Sequence, residues 1–484
     1  MLLCDELKKV FCRLVVYRVR IGNRAVLCFQ FGFVSVVPPI VKQICRQVSV
    51  QLRAIPNSTA TIVNKRNAVN PSAVVPADNR LNILFGKLLF KFLFAVWVLL
   101  LISTINFLKR PLKAKMQKGN FVTLKIIQMG LNERICIVGG GLSGLTLAYL
   151  LSQRNIRVTI LEASPRLGGR IQTIQGAIGT PLELGATWFS DMHPSLLSLI
   201  DELGLKKYPQ FSKGISLFQT KSFEPPQKFF IPEAEIPSYR LAGGTQMLID
   251  TLAEKLPKEN ILLNTKVTAI KETEDGIELA SSDGRKHHAG KVIICILPQL
   301  TAKQITFSPE LPDALKVILP NVQTWMAGAI KFTLEYDNPF WRKEGYSGML
   351  FSHAGIITEM YDHTNYEEDK FGFTGFLNGS AASYSQKVRK EFVLNQLTDL
   401  LGARALKPIA YFDKIWTDEF ILAENQLVQR PHQNNGHLVL QQSYMDEKLF
   451  FSATETAKEF PGYMEGAVIA AQSVAERLIP LLAI

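Results

Sequence analysis

The sequence predicts an α/β protein in which a Rossmann-like dinucleotide-binding domain is interleaved with an α+β substrate-binding domain. Three observations predict it. The run Ile135–Val138 is apolar and β-branched, as a parallel strand buried on both faces requires. Gly139, Gly141 and Gly144 follow in the GxGxxG spacing, and a helical run, Leu145 to Gln153, comes next. A second strand, Val158 to Leu161, then ends at Glu162, 18 positions past Gly144.

Each residue type in this unit has a reason. The first glycine makes the tight turn, the second lets backbone approach a pyrophosphate, and the third lets the helix pack on the strand. The helix N-terminus offers free N–H groups and partial positive charge to phosphates, and Ser143 stands in that first turn. Glu162 is placed to accept ribose hydroxyls. Directly after it, Arg166-Leu-Gly-Gly-Arg170 adds a second glycine pair, including Gly169, and a fixed cation in Arg170. This continuation resembles the GxGxxG…E…GGR signature of the amine oxidase branch of FAD-binding oxidoreductases. On motif grounds alone, an NAD-binding domain carrying the same pentapeptide is the alternative.

Composition narrows the function. The chain has 484 residues and a formal net charge of +12, but the average misleads. Residues 1–130 hold 20 Lys/Arg against 3 Asp/Glu, leaving 34 against 39 for the rest, a net of −5. The body lacks the basic stripe that a phosphate backbone requires, so no nucleic-acid partner is expected. Four of the six cysteines (Cys4, Cys12, Cys28, Cys45) lie in the basic segment, while Cys136 and Cys295 sit in apolar strand runs and read as buried thiols. No metal-ligand spacing occurs, and no metal is expected. His287 and His288 read as solvated loop residues.

Residues 1–128 form a basic extension with two readings. The run from Phe92 to Leu108 is uncharged and sits at the short end of a membrane span, with Lys87 and Lys91 before it and Lys109, Arg110, Lys113, Lys115 and Lys118 after it. The heavier positive flank would hold the body on the cytoplasmic side, anchored in the inner or cytoplasmic membrane. Alternatively, translation starts at Met129, leaving 356 residues of soluble cytoplasmic protein.

The remaining pieces resemble the flavin-containing amine oxidases, the monoamine oxidase-like and polyamine oxidase-like group. Leu184-Gly-Ala-Thr-Trp188 resembles the LGAxW segment that approaches the flavin. Tyr239–Gly244 leads into a helix, Gln246 to Leu256, and Ile261–Ile270 is read as one strand whose Val267 the resemblance places at the adenine. A meander follows through Gly276–Ala280, a turn at Ser281–Gly284, and Lys291–Leu297 closed by Pro298; an amphipathic helix spans Ser385–Leu401. The resulting division is 131–190, 239–298 and 416–484 for the FAD-binding domain, with 191–238 and 299–415 for the substrate domain.

Two segments carry the chemistry that the resemblance implies. Ala327–Phe332, followed by Pro339-Phe-Trp341, resembles the stretch whose lysine holds a water at the flavin N5, which points to Lys331; an edge-strand lysine facing solvent is the bland alternative. Phe450–Ala457 with Phe460–Gly466 resembles the closing FAGTETA…GYMEGA segment. It implies cofactor contacts at Thr454, Glu455 and Met464, and an amine-facing cage wall at Tyr463. The departures concern the other wall. Counting from Trp416, the family's flavin-linked cysteine and second cage tyrosine fall on Asn425 and Gln426, and no cysteine follows Cys295. FAD is therefore expected to be held non-covalently. The loop Arg430–His437 is read either as a polar pocket edge using His432, Asn434 or Asn435, or as a plain surface loop.

The resemblance implies an FAD-dependent oxidoreductase that takes a small amine to an imine by hydride transfer to flavin, with oxygen giving hydrogen peroxide. A desaturase of a lipophilic carotenoid or porphyrinogen type, and a non-catalytic flavin-binding module, are the rivals on the same fold.

Overall fold

The computed structural model describes residues 13–21, 24–32, 134–416 and 431–482. The chain divides into two compact units, Met1–Ala114 and Lys115–Ile484. Within the first, Arg13–Ile21 and Arg24–Gly32 pair antiparallel as a hairpin. The run 92–108 lies outside the described residues. Among the described residues, no helix is long and apolar enough to cross a membrane.

In the second unit, the strand Ile135–Val138 is the middle of a five-stranded parallel sheet, buried at all four positions. The order across the sheet is Ile261–Leu262, Val158–Leu161, Ile135–Val138, Lys291–Ile294, Leu449–Phe451. Alternation sorts its side chains into two cores. Ile135, Ile137, Ile293 and Phe450 pack on one face with Leu145 and Leu151 of the helix Leu142–Ser152, and with Val468, Ala471 and Leu478 of the long helix Met464–Leu482. Cys136, Val138, Val292 and Ile294 face the other way, onto Ile270 and Leu279 of a four-stranded sheet. Truncating a fully buried leucine such as Leu145 to alanine costs about 2–5 kcal/mol.

The region expected as one strand over Ile261–Ile270 is two. Ile261–Leu262 pairs parallel with Ile160–Leu161, and Val267–Thr273 joins the four-stranded sheet. Asn264, at φ 52°, turns the chain between them. The polar Asn264-Thr265-Lys266 separates the two apolar pieces, which belong to different sheets. His287 and His288 lie on the strand Lys286–Ala289 rather than in a loop, with His288 exposed.

A seven-stranded sheet forms the second layer, in the order Ala410–Ile415, Ile330–Tyr336, Phe371–Leu377, Ile357–Asp362, Tyr346–Ser352, Gly214–Gln219, Gln227–Ile231. The helix Gln386–Leu401 covers one face. Ser385 caps it by accepting from the Val388 N–H, and Gly402 at φ 85° ends it. Ile330, Phe332, Leu334 and Tyr336 pack under this helix with Val393 and Leu397. By strand alternation, Lys331, Thr333 and Glu335 face the opposite side, toward the dinucleotide layer.

Candidate functional site

Between the two layers lies one cavity of about 510 Å³. Its dinucleotide end is built by backbone. Gly168 N–H donates to Gly140 O at 2.9 Å, which joins the first glycine loop to the second. A Cβ on Gly144 would lie 2.1 Å from Gly139 O, so this glycine is required by helix–strand packing. A Cβ on Gly141 would meet no protein atom nearer than 4.0 Å, and the residue lines the cavity. Its open side is room for a ligand. Glu162 is buried beside it, its carboxyl accepting from Gly140 N–H at 2.6 Å and Ser164 N–H at 2.8 Å.

Gly139, Gly141, Ser143, Glu162, Gly169, Arg170, Val267, Thr454, Met464, Lys331 and Tyr463 all line this one cavity, although they come from five separate stretches of chain. Two other residues singled out by sequence stand behind its wall. Gly144 packs against Gly139, and Glu455 is fully buried, holding the Arg170 guanidinium through contacts of 2.6 and 3.2 Å. Ser143 Oγ is hydrogen-bonded to the Ser452 carbonyl and hydroxyl, which ties the helix start to the end of the strand Leu449–Phe451. Thr454 Oγ1 donates to Tyr463 O at 2.7 Å and accepts from Gly462 N–H at 3.0 Å, fixing the turn that presents Tyr463 and Met464. Met464 begins a helix of 19 residues, so its unpaired N–H groups and positive dipole end lie at the cavity. The backbone cradle, the buried acid and the helix terminus together fit a dinucleotide flavin.

Lys331 sits on a strand paired on both sides, by Phe371–Leu377 and Ala410–Ile415, and is 2% exposed. It is not an edge residue facing solvent. Its Nζ donates to Gly185 O at 2.7 Å and to Thr187 Oγ1, and lies 4.8 Å from the Trp188 ring centroid. Burial pulls its pKa down to about 7; the Glu183 carboxylate opposes this, and Arg240 adds to it. Glu183 is itself raised by burial and held by Thr245 and Thr173. His363 Nε2 accepts from the Glu183 N–H at 3.1 Å and lies 3.3 Å from Arg240 Nη2, so the ring proton belongs on Nδ1. Burial holds this histidine well below its usual range, and therefore neutral.

Three cavity residues carried no sequence signal. Lys331 pairs with Phe376, and Phe376 with Glu359, so the three form one row across adjacent strands. A register shift between Ile357 and Glu359 is what aims the carboxyl: Ile357 is buried in the core, whereas Glu359 reaches the cavity. Tyr361 Oη donates to Glu359 Oε1. Trp325 is the third, on a tight turn ahead of the lysine strand.

The polar loop resolves into scaffold. Asn434 and Asn435 donate to the carbonyls of Asn321 and Gln323, at 2.8 and 2.7 Å, and neither lines the cavity. His432 stacks on Trp325 instead. Asn425, Gln426 and Arg430 lie outside the described residues. Cys136 and Cys295 are free thiols, each pushed up to about 12 by burial. Among the described residues, no cluster of His, Cys, Asp or Glu could hold a metal.

The family model for flavin containing amine oxidoreductases matches residues 142–224 and 217–479. A probable flavin-containing monoamine oxidase A from Dictyostelium discoideum is 25% identical over 442 residues, covering 69% of this chain and 94% of its own. Putrescine oxidase from Kocuria rosea is 24% identical over 405 residues, covering 60% and 84%. Among solved structures, putrescine oxidase bound to putrescine superposes with a TM-score of 0.62 at 22% identity, over 72% of this chain and 99% of that one. Cyclohexylamine oxidase from Brevibacterium oxydans IH-35A gives 0.63 at 21%, over 73% and 100%. The matched spans hold the cavity lining from Leu142 to Ala467, and this chain is an oxidoreductase of the flavin-containing amine oxidase family.

Proposed function

We propose that this protein oxidises a primary amine bearing a second basic nitrogen, a short diamine being the simplest case, with non-covalently bound FAD as the oxidant. The observation that carries the substrate class is Glu359, a carboxyl on the cavity wall beside the Trp188 and Phe376 rings, over which Lys331 Nζ also lies, and close enough to that nitrogen to oppose the lowering of its pKa. Two strand spacings separate it from Lys331, roughly 10 Å of backbone. One substrate nitrogen meets Glu359 while the reacting carbon lies toward Lys331. Likeness to putrescine oxidase supports the same class.

The chemistry that FAD supplies when bound is acceptance of hydride from the carbon next to nitrogen, with the electrons passed to oxygen as hydrogen peroxide. The protein's residues do the rest. The Gly139–Gly144 loop, Glu162, Arg170 and Val267 would hold the dinucleotide, and the N-terminus of the helix at Met464 would favour negative charge there. Thr187 Oγ1 and Gly185 O hold Lys331 Nζ in place. With a pKa near 7, that nitrogen can take the proton a substrate ammonium must lose, or position a water. Tyr463 orients the amine.

The test is anaerobic. FAD-loaded protein is mixed with putrescine, cadaverine and butylamine, and flavin bleaching is followed. Faster bleaching by the diamines, with the preference lost in E359Q, is expected. Bleaching by butylamine at equal rate would refute the two-nitrogen substrate while leaving amine oxidation intact. No bleaching by any amine would refute the reaction. Acid precipitation should release the flavin into the supernatant.

A further inference from the structure

Five aromatic rings gather where the cavity meets the loop 431–436. Trp325 and His432 have centroids 5.0 Å apart and planes 17° apart. Tyr463 lies 5.8 Å from Trp325 at 25°, and 6.1 Å from His432 at 11°. His193 and Phe460 close the far side of Tyr463, at 6.1 and 6.4 Å. The first three rings are nearly parallel and mutually offset. They pack as one stacked group and leave no slot for a ligand between them. Trp325 and Tyr463 line the cavity; His432 backs both.

The stacked group is locked in place from several directions. Gln323 N–H donates to Gln433 O at 3.0 Å, and the Asn434 and Asn435 amides return two bonds to the Trp325 loop. Met326 and Asn434, at φ 59° and 60°, hold the strained turn conformations that aim the flanking rings. Gly462, at φ 87°, leaves the space that Trp325 fills: a Cβ there would lie 2.6 Å from Trp325 Cβ. Two strained turns and a glycine gap converge on one indole.

We propose that Trp325, stacked against Tyr463, is a substrate-facing aromatic wall for an alkylammonium group, and that His432, stacked on Trp325, is the positioning residue that holds the indole in place. This rests on the amine reading above. The face of an indole attracts a cation more strongly than a phenol face does.

Benzyltrimethylammonium is the probe, because it is a cation with no N–H and cannot form an imine. It is titrated into FAD-loaded full-length protein and read by the flavin difference spectrum. Trp325→Ala should weaken binding about tenfold and Trp325→Phe about threefold or less. His432→Ala should weaken it about threefold, and His432→Phe, which keeps a stacking ring, should restore it. Unchanged binding in Trp325→Ala, at full flavin content, overturns the wall. If that variant loses flavin, Trp325→Leu and Trp325→Phe carry the test, and equal affinities overturn it. Failure of the wild type to bind the probe overturns it too. If no amine bleaches the flavin while Trp325→Ala still weakens the probe, the wall stands and the amine reading falls.

Discussion

Lys331 and Arg170 contrast a buried charge, to which we assign reactivity, with a partly exposed one held by a buried carboxylate. Folding lowers the Lys331 pKa from 10.5 to about 7, with burial as the main cause. Between those values the unfolded chain binds the extra proton, so stability rises with pH across that window. Below about pH 7 the fold carries a buried ammonium, and near pH 10.5 that penalty is gone. Lys331→Met should therefore gain most in melting temperature over wild type near pH 6, with the gain shrinking toward pH 10. A gain independent of pH would show that the lysine is not desolvated. The same variant should retain FAD, reduce it at least about tenfold more slowly, and lose the rate limb centred near pH 7. Arg170 differs, because its partner is the fully buried Glu455. Arg170→Ala strands that carboxylate and should cost about 3 kcal/mol in urea unfolding. Adding Glu455→Leu should recover part of the loss; no recovery would mean that the pair is not the source.

At the scale of elements, the helix Leu142–Ser152 separates packing glycines from ligand glycines. Gly144→Ala places a Cβ 2.1 Å from Gly139 O, so the helix must move off the strand and the protein should unfold more easily with or without cofactor. Gly141→Ala meets nothing within the protein closer than 4.0 Å, so the cofactor-free melting temperature should stay within a degree or two while FAD affinity falls at least about tenfold. Parallel measurement of melting temperature and flavin content checks both; equal loss of apo stability in the two variants would contradict the distinction. The glycine spacing in the chain already assigned Gly141 to a ligand and Gly144 to packing, and the open position at Gly141 and the filled one at Gly144 agree with it. In the strand Ile357–Asp362 the register shift did the opposite of what alternation suggests. It sends Glu359 into the cavity while Ile357 stays in the core. A bulge depends on the partner strand, so no local pattern announces it.

For the whole molecule, the cavity exists only because two layers close on each other. Its glycine loop, its lysine row and its C-terminal helix are far apart in sequence and meet through sheet order. A cofactor spanning both layers should tie them into one cooperative unit. Free FAD at a hundred times its Kd should stabilise the fold by about 2.7 kcal/mol, with a melting temperature that tracks FAD concentration. A melting temperature indifferent to added FAD, in protein that carries flavin, would point to covalent attachment.

By itself the sequence determined the dinucleotide half. Ile135–Val138, the three glycines, Glu162 and Arg166–Arg170 are contiguous, and their chemistry depends on local backbone geometry that residue type dictates. The likeness at Lys331 and Tyr463-Met464 extended that reading to the reacting end. Only the tertiary structure decided the substrate-facing surface. Glu359, Trp325 and Phe376 come from three different segments, and each reaches the cavity through strand register or loop-to-loop packing. The same nonlocal physics turned Asn434 and Asn435 from candidate ligand contacts into struts. The backbone carbonyls of Asn321 and Gln323 accept from those side-chain amides, and a one-dimensional pattern does not record which segment supplies the donors.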